Sequence, residues 1–308
     1  MFRFAIIGCG KTSAAHISQI SRIGKLVAVC DILPQKADDL ANRYGAKAYY
    51  DASDLLDHEE ELDIICVCTP NGCHAEHCIR SLQSGFHVIC EGPLCLTTAA
   101  AWQMIETEKF CRKRLVVVNT VLLNPNAKAL KLEIEKNTSG QVFNFDLHCM
   151  AEVQPDNDWR NKAFPGGGAL YTHFSRYIQM LLYLFGEIED VKGYCANRHY
   201  SGKLETEDTG EAVLDMKNGI LGEIHWKLNG AGKTKDSLVV SKIKKPMTIN
   251  SNQLESIIIG NEEAYSRIYD DMIHAIREKA QSQTGLYQNI KTVEAIEKIY
   301  KAVSSNHS

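Results

Sequence analysis

No apolar run in this sequence approaches the roughly 18 residues that cross a bilayer as a helix, so no membrane-spanning segment is expected. Charge of one sign is also scarce: 34 Lys and Arg stand against 38 Asp and Glu, a net charge of −4. That balance gives no general pull toward nucleic acid or an anionic lipid surface. The one basic cluster, Lys242-Ile-Lys-Lys245, is short and reads as a solvated turn between two strands. Internal repeats and low-complexity tracts are missing too. The apolar opening Phe2-Arg-Phe-Ala-Ile-Ile7 is cut off by Gly8-Cys-Gly10-Lys11, too early for a signal core, and reads as a buried strand. Cysteine, by contrast, is plentiful at eleven. In a small secreted domain that count would mean disulfides. Here Cys9, Cys30, Cys66, Cys68, Cys73, Cys78, Cys90 and Cys111 fall on or beside expected strands and helices, as small buried apolar groups. Cys66, Cys68, Cys73 and His77 fit no trusted metal-ligand spacing. A reducing, cytoplasmic setting without a bound metal is the expectation.

What is present is a regular alternation of two periods. The length of 308 residues suits two domains, expected at 1–121 and 122–308. In the first, apolar runs at 4–7, 26–30, 64–68, 87–90 and 115–118 are rich in Val, Ile and Cys. They do not alternate, as strands buried on both faces should not. Helical stretches lie between them at 12–23, 35–44, 75–84 and 98–111. Pro34 opens the second of these and Gly45 stops it. Such repetition predicts a doubly wound parallel sheet, a Rossmann domain. Beyond Pro125 a helix at 126–136 leads to a strand at 142–149, a Pro165-Gly-Gly-Gly168 loop and one long apolar helix at 169–185. Strands follow at 191–196, 210–216, 221–228, 237–241, 247–249 and 256–259, then closing helices at 264–278 and 290–302. These strands alternate better, predicting an α+β domain with a mostly antiparallel open sheet.

After the first strand the chain reads Gly8-Cys-Gly10-Lys11-Thr12-Ser13. The glycines allow a tight turn and a close approach of backbone N–H groups to a pyrophosphate at a helix N-terminus. Ser13 stands where Gly or Ala is usual and is small enough to keep helix and strand close. Asp31 closes the second strand, placed to accept from both ribose hydroxyls and to repel the 2′-phosphate of NADP. Its other reading is a helix cap before Pro34. No Arg follows it to receive that phosphate, so the expected cofactor is NAD.

Cys68-Thr69-Pro70-Asn71-Gly-Cys-His74, then Ser84-Gly-Phe-His-Val-Ile-Cys-Glu91-Gly92-Pro93-Leu and Gly166-Gly-Gly-Ala-Leu170, resemble the glucose–fructose oxidoreductase, inositol dehydrogenase and MocA family. The likeness covers essentially the full length and is similar to the nucleotide-sugar 3-dehydrogenase branch. It implies an NAD(P)-dependent oxidoreductase and adds Thr69, Pro70, Asn71, His74, Glu91 and Pro93 to the cofactor set. It also implies a lysine at the position of Gly92, an aspartate at Thr172 and a histidine at Arg176. All three differ. Removing hydride from a carbinol carbon needs a base for the hydroxyl proton; glycine has no side chain to offer and arginine stays protonated.

Three readings follow. In one the protein is an enzyme with rearranged groups, in which Arg176 holds an anionic or sugar-like substrate and His173, one helical turn away, moves the proton beside Thr172. His173 is equally readable as an ordinary helix residue. The Ser175-Arg176 pair suits a second reading, reduction of a conjugated substrate as in biliverdin reductase. The third is an NAD-binding sensor or assembly partner without turnover. Trp159-Arg160, just before the glycine loop, is either a substrate clamp or a packed loop pair. A sheet face left open in the second domain predicts a homodimer or homotetramer.

Overall fold

The computed structural model describes residues 1–136, 140–229, 235–282, 284 and 286–304. They form two compact units, each discontinuous in sequence: Met1–Asn119 with Gly260–Ile290, and Thr120–Ile259 with Lys291–Ser308.

The first unit holds six parallel strands: β1 (Phe2–Ile7), β2 (Gly24–Cys30), β3 (Lys47–Tyr49), β4 (Ile64–Val67), β5 (His87–Cys90) and β6 (Leu115–Val117). Their order is β3-β2-β1-β4-β5-β6. The connections reverse at β1, which pairs with β2 on one side and β4 on the other. A crevice therefore opens at the carboxyl ends of β1 and β4, where doubly wound folds bind their ligands. The four residues of β4 are all buried, as the unbroken apolar run requires. Helices α1 (Ser13–Ile23), α2 (Pro34–Tyr44), α3 (Ala52–His58), α4 (His74–Gln83) and α5 (Thr98–Cys111) make the crossovers. Gly45 ends α2 in the left-handed region, φ 65°, its N–H bonded to Ala41 O. Neither β3 nor α3 was expected: β3 has three residues, of which only Tyr49 is buried, too short for a periodic signal.

The helix Glu262–Arg277, expected to close the second domain, belongs to this unit instead. It packs on α1 and β6. Beyond it Thr284 accepts a hydrogen bond from Val117 N at 3.2 Å, so the exposed edge of β6 gains a partner.

The second unit carries β7 (Val142–Glu152), β8 (Ile188–Ala196), β9 (Thr209–Met216), β10 (Leu221–Asn229), β11 (Ser237–Lys242) and β12 (Met247–Ile249). Their order is β12-β11-β7-β10-β9-β8, antiparallel throughout except β7 with β10. Strict alternation in β9 and β10 turns Ala212, Leu214, Ile224, Trp226 and Leu228 inward. The helix Ser175–Phe185 covers that face, with Phe185 stacked on Phe145 at 4.3 Å between ring centroids.

Three expectations are corrected here. Residues 256–259 are not a strand: they fall in the helix Ser251–Ile258 and its C-terminal cap. Asn250 and Gln253 form a reciprocal capping box that starts this helix, and Leu254, Ile257 and Ile258 bury at helical spacing. The helix expected at 169–185 is two helices, Ala169–Thr172 and Ser175–Phe185. Phe174 N reaches back five residues to Ala169 O at 3.2 Å and its ψ of 4° turns the chain out of register. Finally, Lys242 is not solvated. It is 4% exposed, and its Nζ donates to Glu133 O and Lys136 O, both at 3.2 Å. There it caps the helix Pro125–Glu135, whose last carbonyls lack partners within the helix.

Candidate functional site

At the end of β1 the chain turns sharply because Gly8 takes φ +99°. A Cβ there would lie 2.6 Å from the backbone C and O of Cys68 and 2.8 Å from Thr69 N. Only glycine lets β1 and β4 approach this closely. Gly10 faces open space, with nothing within 4 Å of its Cβ position. Ser13, 3% exposed, fastens the turn by donating its hydroxyl to Gly10 O at 2.7 Å. Lys11 and Thr12 stand exposed at the apex. Thr12, at the cap position of α1, makes no side-chain capping bond, and no acid lies in the first turn. Among the described residues the N–H groups of Gly10 and Lys11 make no backbone hydrogen bond. These unsatisfied donors at the positive end of a helix suit a pyrophosphate.

Asp31 stands at the end of β2. Its Oδ2 accepts from Cys9 N at 2.8 Å and its Oδ1 from Leu33 N at 2.9 Å. It is not the cap of α2, whose cap position is Leu33 without a side-chain bond. Each oxygen keeps a lone pair for a further donor. The cradle thus fits a dinucleotide: no Cβ at Gly8, open space at Gly10, and a fixed carboxylate at the second strand.

Past β4, Pro70 leads into the short helical turn Asn71–Cys73, and His74 opens α4. His74 is 1% exposed and joins two segments: Nδ1 lies 2.8 Å from Pro93 O and Nε2 2.8 Å from Thr69 O. Burial opposes a charge on this ring, but the neighbouring Cys90 and the two carbonyl acceptors outweigh it and raise the pKa to about 9. Protonated, it donates at both nitrogens and ties the β4 and β5 exits together. Asn71 is buried beside it. Thr69 Oγ1 lies 3.1 Å from His77 Nδ1.

Glu91 is buried at the end of β5. It accepts from Tyr265 Oη at 2.6 Å and lies 2.9 Å from His16 Nε2. His16 Nδ1 lies 2.8 Å from Tyr269 Oη, which in turn reaches Cys66 Sγ at 3.2 Å. Burial again opposes charge on His16, yet the Cys68, Tyr269 and Cys66 groups around it hold its pKa well above the ordinary 6.5. The Glu91 carboxylate acts in the same direction. Sequence reasoning missed His16, Tyr265 and Tyr269. A signal existed for the first: His16 interrupts the stripe of Ser13, Ile17 and Ile20 that α1 buries, and a polar group on a buried stripe implies a partner.

In the second unit, the Gly166-Gly-Gly168 loop is held from within. Gly168 takes φ +100°, and a Cβ there would fall 2.3 Å from Tyr300 Oη. Buried Glu207 accepts from Ala169 N at 3.0 Å and from Tyr300 Oη at 2.6 Å, and Tyr300 Oη accepts from Leu170 N at 3.0 Å. Thr172 donates its hydroxyl to Gly168 O at 2.9 Å. Arg176 donates Nη1 to Ile258 O at 3.2 Å, at the end of the helix Ser251–Ile258. His173 sits in the break between two helices, so the one-turn spacing that would pair it with Arg176 does not exist. Its charged neighbours are others. Burial, then the Arg160 guanidinium, push its pKa down to about 4 against a smaller opposing effect of Asp158. Arg160 Nη1 lies 3.0 Å from both Asp158 oxygens, and the guanidinium covers the Trp159 ring at 4.5 Å.

Comparison with known proteins settles the family. Residues 2–119 match the profile described as oxidoreductase family, NAD-binding Rossmann fold, and residues 127–242 match the GFO/IDH/MocA C-terminal domain. The chain belongs to the GFO/IDH/MocA oxidoreductase family. It is an oxidoreductase that uses NAD, and residues 2–119 are the fold that binds it.

Among curated relatives, D-glucoside 3-dehydrogenase of Escherichia coli (strain K12) is 27% identical over 240 residues, 74% of this chain and 68% of its own. Glucose-6-phosphate 3-dehydrogenase of Bacillus subtilis (strain 168) is 30% identical over 235 residues, 74% of this chain and 66% of its own. The chain thus spans about two thirds of these relatives' lengths. Among solved structures, the WlbA dehydrogenase from Bordetella pertussis, in complex with NADH and UDP-GlcNAcA, superposes with a TM-score of 0.87 at 24% identity, covering 99% of this chain and 97% of its own. That likeness shows the fold of GFO/IDH/MocA proteins. No described helix is long and apolar enough to cross a membrane.

Proposed function

We propose that this chain prefers NAD over NADP and acts on a small polar substrate, sugar-like or anionic, with an acid–base set rearranged from the family's usual one. The Asp31 carboxylate carries the cofactor half of this reading: aligned by two backbone N–H groups, it offers acceptors to a ribose diol and repels a 2′-phosphate. Bound NAD supplies the hydride donor or acceptor. The names of the relatives, dehydrogenases of a glucoside and of glucose 6-phosphate, support a sugar-like substrate. The nucleotide sugar held by WlbA, together with the 3-dehydrogenase names of the two curated relatives, supports the nucleotide-sugar 3-dehydrogenase branch. Gly92 and Arg176, at the positions of the family's lysine and histidine, cannot take a hydroxyl proton. Thr172 is engaged with Gly168 O. His173 is the remaining acceptor, uncharged at neutral pH, with Arg160 suited to hold an anionic group nearby.

A panel of polyols, sugars and sugar phosphates followed by NADH absorbance tests the proposal. Unphosphorylated polyols and inositol should turn over negligibly. An anionic sugar should turn over, and His173→Ala should lower that rate about 10²-fold or more, the usual contribution of a general acid or base. Robust inositol oxidation, or full activity in His173→Ala, would overturn the rearranged set. One observation favours a second reading, NAD binding without turnover: with its pKa near 4, His173 is a weak base. That reading expects saturable NAD binding in calorimetry and no absorbance change with any sugar.

We propose a homodimer or homotetramer as well. The outer face of the second sheet exposes Val213 (41%) and Leu221 (45%), and an interface of roughly 1,200 Å² or more would cover it. A monomeric mass by light scattering at high protein concentration would exclude this. The free state of all eleven cysteines accords with a reducing compartment such as the cytoplasm.

A further inference from the structure

The outer face of the second sheet also carries a cluster that the family chemistry leaves unused. His148 on β7 and His225 on β10 are direct partners in the parallel ladder, and Asp146 lies two residues before His148, on the same face. The two imidazoles stack at 4.4 Å with an 8° interplanar angle. Asp146 Oδ1 is 3.2 Å from His148 Nε2 and 3.7 Å from His225 Nε2. One donor atom from each of the three residues falls within 4.8 Å of the others.

We propose that Asp146, His148 and His225 form a three-ligand site for a borderline divalent transition ion of the Zn2+ type. An ion about 2 Å from each of three donors in tetrahedral arrangement holds them roughly 3.3 Å apart; the two oxygen–nitrogen spacings are 3.2 and 3.7 Å, and all three donors lie within 4.8 Å of one another. Two nitrogens and one carboxylate oxygen suit such an ion, whereas Mg2+ and Ca2+ take oxygen ligands. A second observation points the same way. Asp146 Oδ1 is buried at the atom level without a hydrogen bond of its own; the carboxylate is held toward the imidazoles by Oδ2, 3.2 Å from His148 Nε2.

The neighbours fit as well. Glu211, paired with His225 across the β9–β10 ladder, puts Oε2 3.8 Å from His225 Nδ1. At that ion-pair distance the Glu211 carboxylate favours the tautomer with its proton on Nδ1, which leaves the Nε2 lone pair for metal. Glu223 Oε2, 3.8 Å from His225 Nε2, is a further oxygen within reach. The cluster opens into a groove of about 590 Å³ on the sheet face, which admits an ion and leaves its fourth position to water. The two adjacent hydrogen-bonded strands fix the backbone of the ligands, and binding requires the stacked imidazoles to turn so that both Nε2 lone pairs meet the ion.

Calorimetric titration of chelator-stripped full-length protein with Zn2+ should show one ion per chain. All three ligands come from one chain, so the one-to-one ratio holds in the monomer and in any oligomer that leaves this groove open. His148→Gln and His225→Gln should each weaken binding at least tenfold, and Glu211→Gln several-fold. His199→Gln, which lines the same groove outside the cluster, should change nothing. With Co2+ the visible spectrum should show d–d bands without a sulfur charge-transfer band. NAD titration should be unaltered in all four variants, which separates this test from that of the dehydrogenase reading. Absence of saturable binding would overturn the proposal. So would a thiolate band that puts the ion on cysteines, or full binding in the His148→Gln/His225→Gln double variant.

Discussion

Two glycine loops among the described residues, one in each unit, solve opposite problems. Gly8 and Gly168 both take a positive φ, and at both a Cβ would collide. Around Gly8 the colliding atoms are backbone, while donors at Gly10 and Lys11 and the space beside Gly10 remain open. Around Gly168 they are the side chains of Tyr300 and Glu207, which take up the N–H groups of Leu170 and Ala169. One loop is built to receive a ligand's charge; the other is closed by a buried carboxylate of its own. Glycine in a turn therefore says little about binding until the partners of its neighbours are known.

The largest test of this contrast exchanges each glycine. Gly8→Ala forces a strained φ against rigid backbone and should cost about 3 kcal/mol or more in thermal unfolding, with NAD binding lost. Gly168→Ala should destabilise comparably but leave NAD affinity intact in the protein that folds. If Gly168→Ala abolished NAD binding while the protein stayed folded, the two loops would not be separable in function. Next in size, Tyr300→Phe removes one donor to buried Glu207 and one acceptor for Leu170 N, and should cost about 1–3 kcal/mol without altering NAD titration.

Smaller again is cofactor selection. NAD should bind at least about tenfold more tightly than NADP, about 1.4 kcal/mol, and Asp31→Ala should narrow that gap. Equal affinities in the parent protein would break the assignment of Asp31.

The smallest effects are on pH dependence, and they sharpen the contrast with opposite signs. His74 titrates near 9 in the folded state, above its ordinary 6.5. Its contribution is complete below pH 6.5 and is lost as the pH climbs toward 9. His173 titrates near 4, below 6.5. Its contribution is complete above pH 6.5 and is lost as the pH falls toward 4. Unfolding midpoints across pH should therefore flatten on the alkaline side in His74→Gln and on the acid side in His173→Gln.

The legible parts of this chain were those whose cause is local. The turn from β1 to α1, the acid after β2 and the start and stop of α2 are each written within a few residues, by Gly8, Asp31, Pro34 and Gly45. Residues 256–259 misled because three consecutive isoleucines favour a strand by composition, while the helix is decided further upstream by Asn250 and Gln253. The break at His173 and Phe174 had no warning, since neither residue disfavours a helix strongly. The partners of Glu91 were out of reach for a different reason. Tyr265 lies 174 positions along the chain, and no periodicity couples residues at that separation.

That separation has a consequence for biosynthesis. A ribosome finishes β6 long before it reaches the segment Gly260–Ile290 that completes the same unit. At about 5–20 residues per second, the interval is on the order of ten to thirty seconds. Until then the nascent domain holds the buried His16–Glu91 pair without Tyr265 and Tyr269, and the β6 edge without Thr284. The NAD-binding half therefore cannot mature from the N-terminus forward as an autonomous bead. Its last stitches are made only after the whole sheet of the other half has left the ribosome, and a chaperone that shields an unfinished edge has that long to act.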